Sequence, residues 1–302
     1  MAQSGKSMSG LAGGIIRKLI VILALGMFLF AAMNLLGIYL EYKVSTDEYT
    51  ELEEFTNRWR GMAEGVPEAE VPVDGVMENP IDFEGLREIN PDIVGWIEME
   101  AIDVFYPVMQ ARDNEYYLYR TFKKVNNKAG SLFVDYRNKP DFEDKNTIIY
   151  GHNMKNGSMF GQLKEFLERP AQIEAPAENL ETDTAAPSGE DEQLCAYDRS
   201  PYFWIYTPEY IYQYEIYSVA EVDEHSKDYQ REFETEEAYQ KFIDRTVGQS
   251  RYETGVAVSV TDTVVTLSTC TAAHEERLIV QGKRIKTYKA VPCADGYGTP
   301  GN

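Results

Sequence analysis

Hydrophobic and polar positions follow three patterns along the chain, and the first is an uninterrupted apolar run near the N-terminus. Residues 19–40 contain no charged side chain, and Asn34 is their one strongly polar residue. A helix of this length rises about 1.5 Å per residue and crosses a hydrocarbon layer about 30 Å thick. The run is longer than the apolar core of a cleavable signal peptide, and no face of the helix is polar. Residues 19–40 are therefore predicted to be a transmembrane signal anchor.

The second pattern has a helical period and follows the apolar run. Apolar side chains recur three or four residues apart at Tyr49, Leu52, Phe55 and Trp59. Thr46 precedes them as an N-cap, so a separate helix is expected over 46–59, packed on the main domain. Residues 61–80 are rich in Gly, Pro and acidic side chains, which is typical of a linker. Residues 41–80 are thus predicted to be a juxtamembrane helix and linker.

The third pattern begins at Ile81 and consists of short apolar runs rich in β-branched and aromatic residues. Turn residues separate the runs, which is typical of a β-barrel or sandwich. Nine such runs are present, and they predict about eight short strands: Val94–Ile97, Val104–Val108, Ser131–Asp135, Thr147–Tyr150, Tyr202–Tyr206, Tyr210–Val219, Val256–Val260, Thr263–Thr269 and Leu278–Ile285.

Two helices and one atypical segment interrupt the predicted strands. A short helix over 83–89 is expected to stop at Asn90 and Pro91. Thr235 caps a second helix, in which Ala238, Phe242 and Ile243 are expected to face the core. Residues 170–195 are acidic, lack Lys and Arg and contain few large apolar groups. This composition predicts a flexible acidic insertion.

The distribution of charge limits the partners and orients the chain. The 302 residues include 29 Lys plus Arg and 50 Asp plus Glu, a net charge of −21. Such an acidic chain lacks the basic surface that phosphate binding needs, so nucleic acid is excluded as a partner. Residues 1–40 carry +3 and no acid. Basic residues before the apolar run predict that residues 1–18 are cytoplasmic and that the domain after the span is extracellular, in a single-pass cell membrane protein.

Cys270 is the first candidate catalytic residue. The chain has three cysteines, too few for a disulfide scaffold. Cys270 ends the predicted strand Thr263–Thr269, where a rigid strand would hold a nucleophilic thiol beside an open loop. The alternative is a small buried apolar residue. Cys195 and Cys293 are the other two; a disulfide between them is conceivable outside a membrane, but free thiols are favoured.

A histidine and an arginine complete the candidate set. His152 follows the strand Thr147–Tyr150 and suits a general acid or base, the alternative being a surface loop histidine. Arg277 lies seven residues after Cys270, so a tight hairpin would bring the two together. Its guanidinium can donate two hydrogen bonds to an oxyanion; the alternative is an ion pair with Glu275 or Glu276.

His274 is a rival base four residues after Cys270, but its polar surroundings indicate a solvated loop residue. The two residues do not form a metal site, because no further ligands are suitably spaced. No role is assigned to His225.

Several sequence motifs, in order, resemble those of one enzyme family. Thr266-Leu267-Ser268-Thr269-Cys270 followed by Arg277 resembles the signature of sortases, the cell-wall transpeptidases of Gram-positive bacteria. Residues 144–154, with Gly157-Ser158-Met159-Phe160 after them, are similar to the histidine region of class B sortases. The upstream motifs that fit this class are residues 90–97, 106–108, 113–118 and 135–137. The resemblance covers roughly residues 81–287, with 170–195 as the main departure; the tail 288–302 lies outside it.

The resemblance implies a fold and an activity. The fold would be a mainly β, eight-stranded sortase barrel with N-terminal helices and a helix between strands 6 and 7, within residues 226–250. Such enzymes cleave a C-terminal sorting motif of secreted proteins through a thioacyl-enzyme. They pass the acyl group to an amine of a peptidoglycan precursor of the lipid II type, without a metal or organic cofactor.

The resemblance also implies roles for individual residues. Cys270 would be the nucleophile, His152 the acid and base, and Arg277 the group that stabilises the oxyanion. Ser268, Thr269 and Asn153 are expected to contact the substrate, although Ser268 could equally be satisfied within the sheet.

Two other functions remain open at this point. A thiol endopeptidase would use the same pair with water as acceptor, and a catalytically silent surface domain would bind peptide or wall polymer in the same groove. The sorting motif, of an Asn-Pro or a Pro-x-Thr-Gly type, and the choice between a wall precursor and a pilin-like acceptor are also open.

Overall fold

The computed structural model describes residues 8–56, 75–168, 194–270 and 276–293, and for Cys270 it describes the backbone alone. The chain divides after Asp47 into two compact units. The α-helices of the described residues are α1 Met8–Leu52, α2 Phe83–Ile89, α3 Ala196–Arg199 and α4 Glu236–Gly248. Short 3-10 helices lie at Glu53–Phe55, Glu100–Ile102, Tyr117–Tyr119, Leu163–Leu167 and Lys227–Tyr229.

The strands form one mixed sheet. They are β1 Val76–Asn79, β2 Ile93–Met99, β3 Val104–Met109, β4 Leu132–Val134, β5 Asn146–Tyr150, β6 Tyr202–Tyr206, β7 Tyr210–Asp223, β8 Val264–Cys270 and β9 Glu276–Pro292. The strand order is β1-β9-β7-β6-β2-β3-β4-β5-β8, and β8 also pairs with β9. Strands β2 to β9 therefore close into an eight-stranded barrel, and closure leaves none of these eight as an open edge. The predicted barrel is confirmed, and α4 lies between its sixth and seventh strands.

The barrel is filled by aromatic and branched side chains. Those that are almost completely buried include Trp96, Phe122, Phe160, Phe203, Tyr212, Tyr214 and Phe242. Phe203 and Tyr214 stack with ring centroids 5.0 Å apart. A Cβ on Gly282 would lie 2.2 Å from the Phe203 ring, so only glycine lets β9 pass this stack.

Helix α4 begins where its sequence predicts. The Thr235 side chain accepts a hydrogen bond from the Ala238 N–H at 3.1 Å, which satisfies an end group of the helix. Phe242 and Ile243 are buried, whereas Ala238 is half-buried. Together with Tyr239 of the same helix, the two buried residues form a cluster with Tyr217 of β7 and Val264 of β8 against the barrel wall.

The N-terminal helix differs from the expectation of two separate helices. Helix α1 runs without a break through Thr46, whose hydroxyl donates to the Tyr42 carbonyl at 3.0 Å instead of capping a new helix. Tyr49 and Leu52 are buried, as expected for packing on the main domain. Trp59 lies outside the described residues. The helix is long and apolar enough to cross a membrane, and its residues 19–40 are exposed.

Two other expectations change. Val256–Val260 is not a strand, because its valines pack against the α4 cluster and not beside a free strand edge. The end of the predicted linker forms β1, which pairs with β9 through the first residues of the predicted tail. The acidic insertion 170–195 lies almost wholly outside the described residues. Cys195 and Cys293 are free thiols, as favoured.

Candidate active site

The register between β5 and β8 brings His152 and Cys270 to the same end of the sheet. The two strands run parallel, with Tyr150 opposite Ser268, and the Gly151 N–H donates to the Ser268 carbonyl at 3.1 Å. His152 and Cys270 each lie two residues further along. Because neighbouring strands are about 4.8 Å apart, their backbones meet side by side.

The pairing of β8 with β9 adds the arginine. Cys270 and Arg277 are direct partners in this antiparallel ladder, so their backbones lie side by side. His152, which is distant in the sequence, thus lies at the same end of the barrel as Cys270 and Arg277. His274 lies outside the described residues.

The imidazole of His152 is held by a backbone carbonyl. Nε2 lies 2.7 Å from the Leu118 carbonyl oxygen, and the Tyr119 ring is 5.9 Å from the imidazole, centroid to centroid. A carbonyl oxygen only accepts, so Nε2 carries the proton and Nδ1 is the acceptor nitrogen of the neutral ring. Burial lowers the pKa of His152, and the bond to Leu118 opposes that shift. The lowered pKa favours the neutral form of the imidazole.

The backbone before His152 leaves no room for a side chain. A Cβ on Gly151 would lie 2.4 Å from Leu132 Cδ2 and 2.6 Å from the Phe160 ring. The Phe160 N–H donates to the His152 carbonyl at 3.1 Å, which closes the following loop. Glycine thus allows the strand to end against the core with the histidine turned outward.

Arg277 forms an ion pair, but with a different acid from those expected. Its Nη2 donates to Glu224 Oε2 at 2.6 Å, and its Nη1 donates to the Glu276 carbonyl at 3.3 Å. The guanidinium keeps about a quarter of its surface exposed (24%), so it still reaches solvent beside Cys270. Glu275 lies outside the described residues.

Ser268 has a phenol as its partner. Its side chain is 1% exposed, and its hydroxyl lies 2.8 Å from the Tyr229 hydroxyl. Tyr229 in turn stacks on Tyr150 at 6.1 Å. The Ser268 hydroxyl is thus bonded to Tyr229 and not to Arg277.

The other two residues predicted to contact substrate differ in exposure. Thr269 is buried and, by strand alternation, faces away from Ser268; its hydroxyl has no hydrogen-bond partner among the described residues. Asn153 is exposed, and its backbone forms an isolated antiparallel β-bridge with Met159. Their role in substrate binding stays a prediction.

The side-chain amide of Asn146, which is buried, holds the segment after β7, residues 224–231, in place. Asn146 Nδ2 donates to the carbonyls of Asp228 and Gln230 at 3.0 and 2.9 Å. Its Oδ1 accepts from the Thr266 hydroxyl at 2.8 Å, and that hydroxyl accepts from Gln281. Buried polar groups need such partners, and here they hold the segment that carries Glu224 and Tyr229.

Sequence reasoning did not find Glu224, Tyr229 or Leu118. Glu224 and Tyr229 come from a polar turn that is remote from both strand ends in the sequence. Leu118 acts through its carbonyl, which any residue would supply. Among the described residues, no group of three His, Cys, Asp or Glu side chains is arranged to hold a metal ion.

Comparison with known proteins agrees with this geometry. Residues 97–285 match the model of the sortase domain. The chain is 32% identical to sortase B of Listeria monocytogenes, over 68% of this chain and 74% of the relative. It is 31% identical to sortase B of Staphylococcus aureus over 68% and 75%, respectively.

Solved structures of sortase B are also similar to this chain. Sortase B from Bacillus anthracis in complex with AAEK1 superimposes with a TM-score of 0.63 at 30% identity, covering 82% of this chain and all of the other. A Staphylococcus aureus sortase B–substrate complex has a TM-score of 0.57 at 30% identity, covering 68% and 85%. The closed barrel, the three residues at its end and these relatives lead to one conclusion: the chain belongs to the sortase family and is a sortase B-type cysteine transpeptidase.

Proposed function

We propose that Cys270, His152 and Arg277 transfer the acyl part of a sorting signal to an amine. The observation that carries this proposal is the strand register, which sets His152 and Arg277 on either side of Cys270. The reactive groups belong to rigid strand ends, so little ordering is needed when substrate binds.

His152 moves the protons in this mechanism. The Cys270 sulfur bonds to the carbonyl carbon of the substrate while its proton passes to Nδ1, since Nε2 is bonded to Leu118. Because the lowered pKa favours a neutral imidazole in the free enzyme, His152 acts as a general base in this step and does not form an ion pair with a Cys270 thiolate. The tetrahedral intermediate then expels its amine, which takes the proton from Nδ1. An incoming amine attacks the thioester and gives its own proton to the same nitrogen. The second tetrahedral intermediate then breaks its C–S bond to give the new amide, and the released Cys270 sulfur takes the proton back from Nδ1.

Arg277 stabilises the negative oxygen of both tetrahedral intermediates. Its ion pair with Glu224 orients the guanidinium in the free protein. A guanidinium has five N–H donors, so it can keep this pair and still donate to an oxyanion. Donors aimed at a developing charge commonly contribute several kcal/mol to the transition state.

The substrate is the sorting-signal peptide of a secreted protein, and the acceptor is the amine of a lipid II-type peptidoglycan precursor. Of the three residues expected to contact the substrate, Asn153 is exposed and belongs to the substrate-binding surface, whereas Ser268 and Thr269 are buried and would support that surface from within β8. The apolar part of α1 anchors the chain in the cell membrane with residues 1–18 in the cytoplasm. This topology puts the barrel outside the membrane, where both substrates are found.

A product assay tests the proposal. The full chain in detergent is incubated with a library of sorting-signal peptides, with and without an added amine, and products are identified by mass spectrometry. Added amine should yield a new amide in place of the free acid, and Cys270→Ala should abolish both products. Cleavage that yields only acid at saturating amine would instead indicate an endopeptidase. Activity that survives in Cys270→Ala would exclude this thiol as the nucleophile.

A further inference from the structure

The carbonyl that holds His152 belongs to a loop whose backbone is tightly packed. This loop, residues 117–131, begins with the 3-10 helix that contains Leu118 and Tyr119. Gly130 passes directly beneath it with φ +60°, and a Cβ there would lie 2.5 Å from the Leu118 oxygen. The Ser131 N–H donates to the Tyr117 carbonyl at 2.9 Å. A shift of Gly130 therefore displaces the oxygen to which His152 is bonded.

The last turn of α1 holds the same loop from the other side. The Tyr49 hydroxyl donates to the Gly130 carbonyl at 2.9 Å and lies 3.1 Å from the Ser131 hydroxyl. Ser131 donates onward to the Arg120 carbonyl at 2.8 Å. Tyr49 and Ser131 are both almost completely buried, so water does not replace these bonds easily.

Acidic side chains of the same turn strengthen this attachment. Glu48 is buried and accepts a hydrogen bond from the Lys123 N–H at 2.7 Å. Glu51 forms an ion pair with the Lys123 side chain. One helical turn thus holds the loop at three places: Gly130, Ser131 and Lys123.

We propose that Tyr49 is a positioning residue for His152 and acts through Gly130 and Leu118. The contacts are contiguous: the Tyr49 hydroxyl bonds to Gly130, Gly130 packs under Leu118, and the Leu118 carbonyl receives Nε2–H. By fixing that carbonyl, Tyr49 keeps the proton on Nε2 and Nδ1 ready to accept. This inference relies on the proposed role of His152 as acid and base.

Tyr49→Phe removes the hydroxyl and retains the ring, which packs edge-on against Tyr106. A suitable control is Tyr252→Phe, because Tyr252 is equally buried and its hydroxyl also donates to a backbone carbonyl, that of Phe166 at 2.9 Å. That bond joins the 3-10 helix Leu163–Leu167 to the segment after α4 and involves neither Gly130 nor Leu118. Tyr49→Phe removes the bond to Gly130 and the contact with Ser131, and Tyr252→Phe removes one buried hydrogen bond, so both variants lose some stability.

The test uses ¹⁵N-histidine NMR on the full chain in detergent, with peptide kinetics in parallel. In the wild type and in Tyr252→Phe, neutral His152 should be the Nε2–H tautomer. In Tyr49→Phe the Nδ1–H form should become detectable, and kcat should fall about fivefold at unchanged KM, the equivalent of one hydrogen bond. Ser131→Ala should change the tautomer in the same direction and provides the answer if Tyr49→Phe does not fold.

The outcomes separate this inference from the proposed function. An unchanged His152 tautomer in a folded Tyr49→Phe or Ser131→Ala protein overturns the positioning role, whatever the activity. An equal change in Tyr252→Phe also overturns it, because a nonspecific loosening would then suffice. If the tautomer shifts while kcat is unaffected, Tyr49 still positions the ring, and the catalytic role of His152 is the part that fails.

Discussion

Replacing Tyr229 by phenylalanine should destabilise the protein more than replacing its partner, Ser268, by alanine. The two hydroxyls share one hydrogen bond of 2.8 Å, but their surroundings differ. Ser268 is 1% exposed, whereas Tyr229 is half-buried. The cost of breaking a hydrogen bond depends mainly on the polar group that is left behind.

The structure sets the magnitudes of the two effects. Without the phenol hydroxyl, the buried Ser268 hydroxyl loses its partner, at a cost of about 2 kcal/mol. Without the serine hydroxyl, the phenol can bond to water, and the cost is about 0.5–1 kcal/mol. In a domain of this size 1 kcal/mol lowers Tm by about 2–4 °C. Tyr229→Phe should therefore lower Tm by about 4–8 °C and Ser268→Ala by about half of that or less.

Thermal unfolding of the full chain in detergent, followed by tryptophan fluorescence, measures both variants and the double variant. The double variant should be about as stable as Ser268→Ala alone, since neither hydroxyl then remains unpaired. The reasoning is refuted if Ser268→Ala is the more destabilising change. It is also refuted if the two losses simply add, because additive losses would mean that the hydroxyls do not interact.

Two further predictions concern the catalytic groups. His152→Ala and Arg277→Ala should each lower kcat/KM about 10³-fold in the peptide assay, whereas His274→Ala should remain close to wild type; a larger loss in His274→Ala would reassign the base. Because burial lowers the pKa of His152 below its ordinary 6.5, its neutral form persists into mildly acidic solution, and the acid limb of kcat/KM should lie below pH 6.5. A limb at or above 6.5 would contradict the buried, neutral imidazole.

Strand positions and the reactive residues were predictable because they depend on local pattern and on residue type. Apolar runs bounded by turns identified eight barrel strands, and Cys270, His152 and Arg277 stood at strand ends within recognisable motifs. The Thr235 cap marked the start of α4 for the same reason, since capping requires a particular side chain at one position.

The remaining features depend on tertiary contacts that leave no local signal. Thr46 is a residue type that commonly caps helices. The helix nevertheless continues through it, because Tyr49 and Leu52 in the following turn are buried. In Val256–Val260, apolar and polar residues alternate as they do in a strand, but the valine side chains pack against the cluster on α4. The bonds to Leu118 and Gly130 use backbone groups, which every sequence possesses.

Because the ladder between β8 and β9 sets Arg277 opposite Cys270, the number of residues joining the two strands does not determine where the guanidinium lies. Lengthening the connection 271–275 leaves that ladder intact and costs only loop-closure entropy, about 0.6 kcal/mol per doubling. One residue inserted just after Arg277 would instead turn its side chain to the opposite face. The spacing between cysteine and arginine can therefore change without moving the guanidinium away from the thiol's strand end.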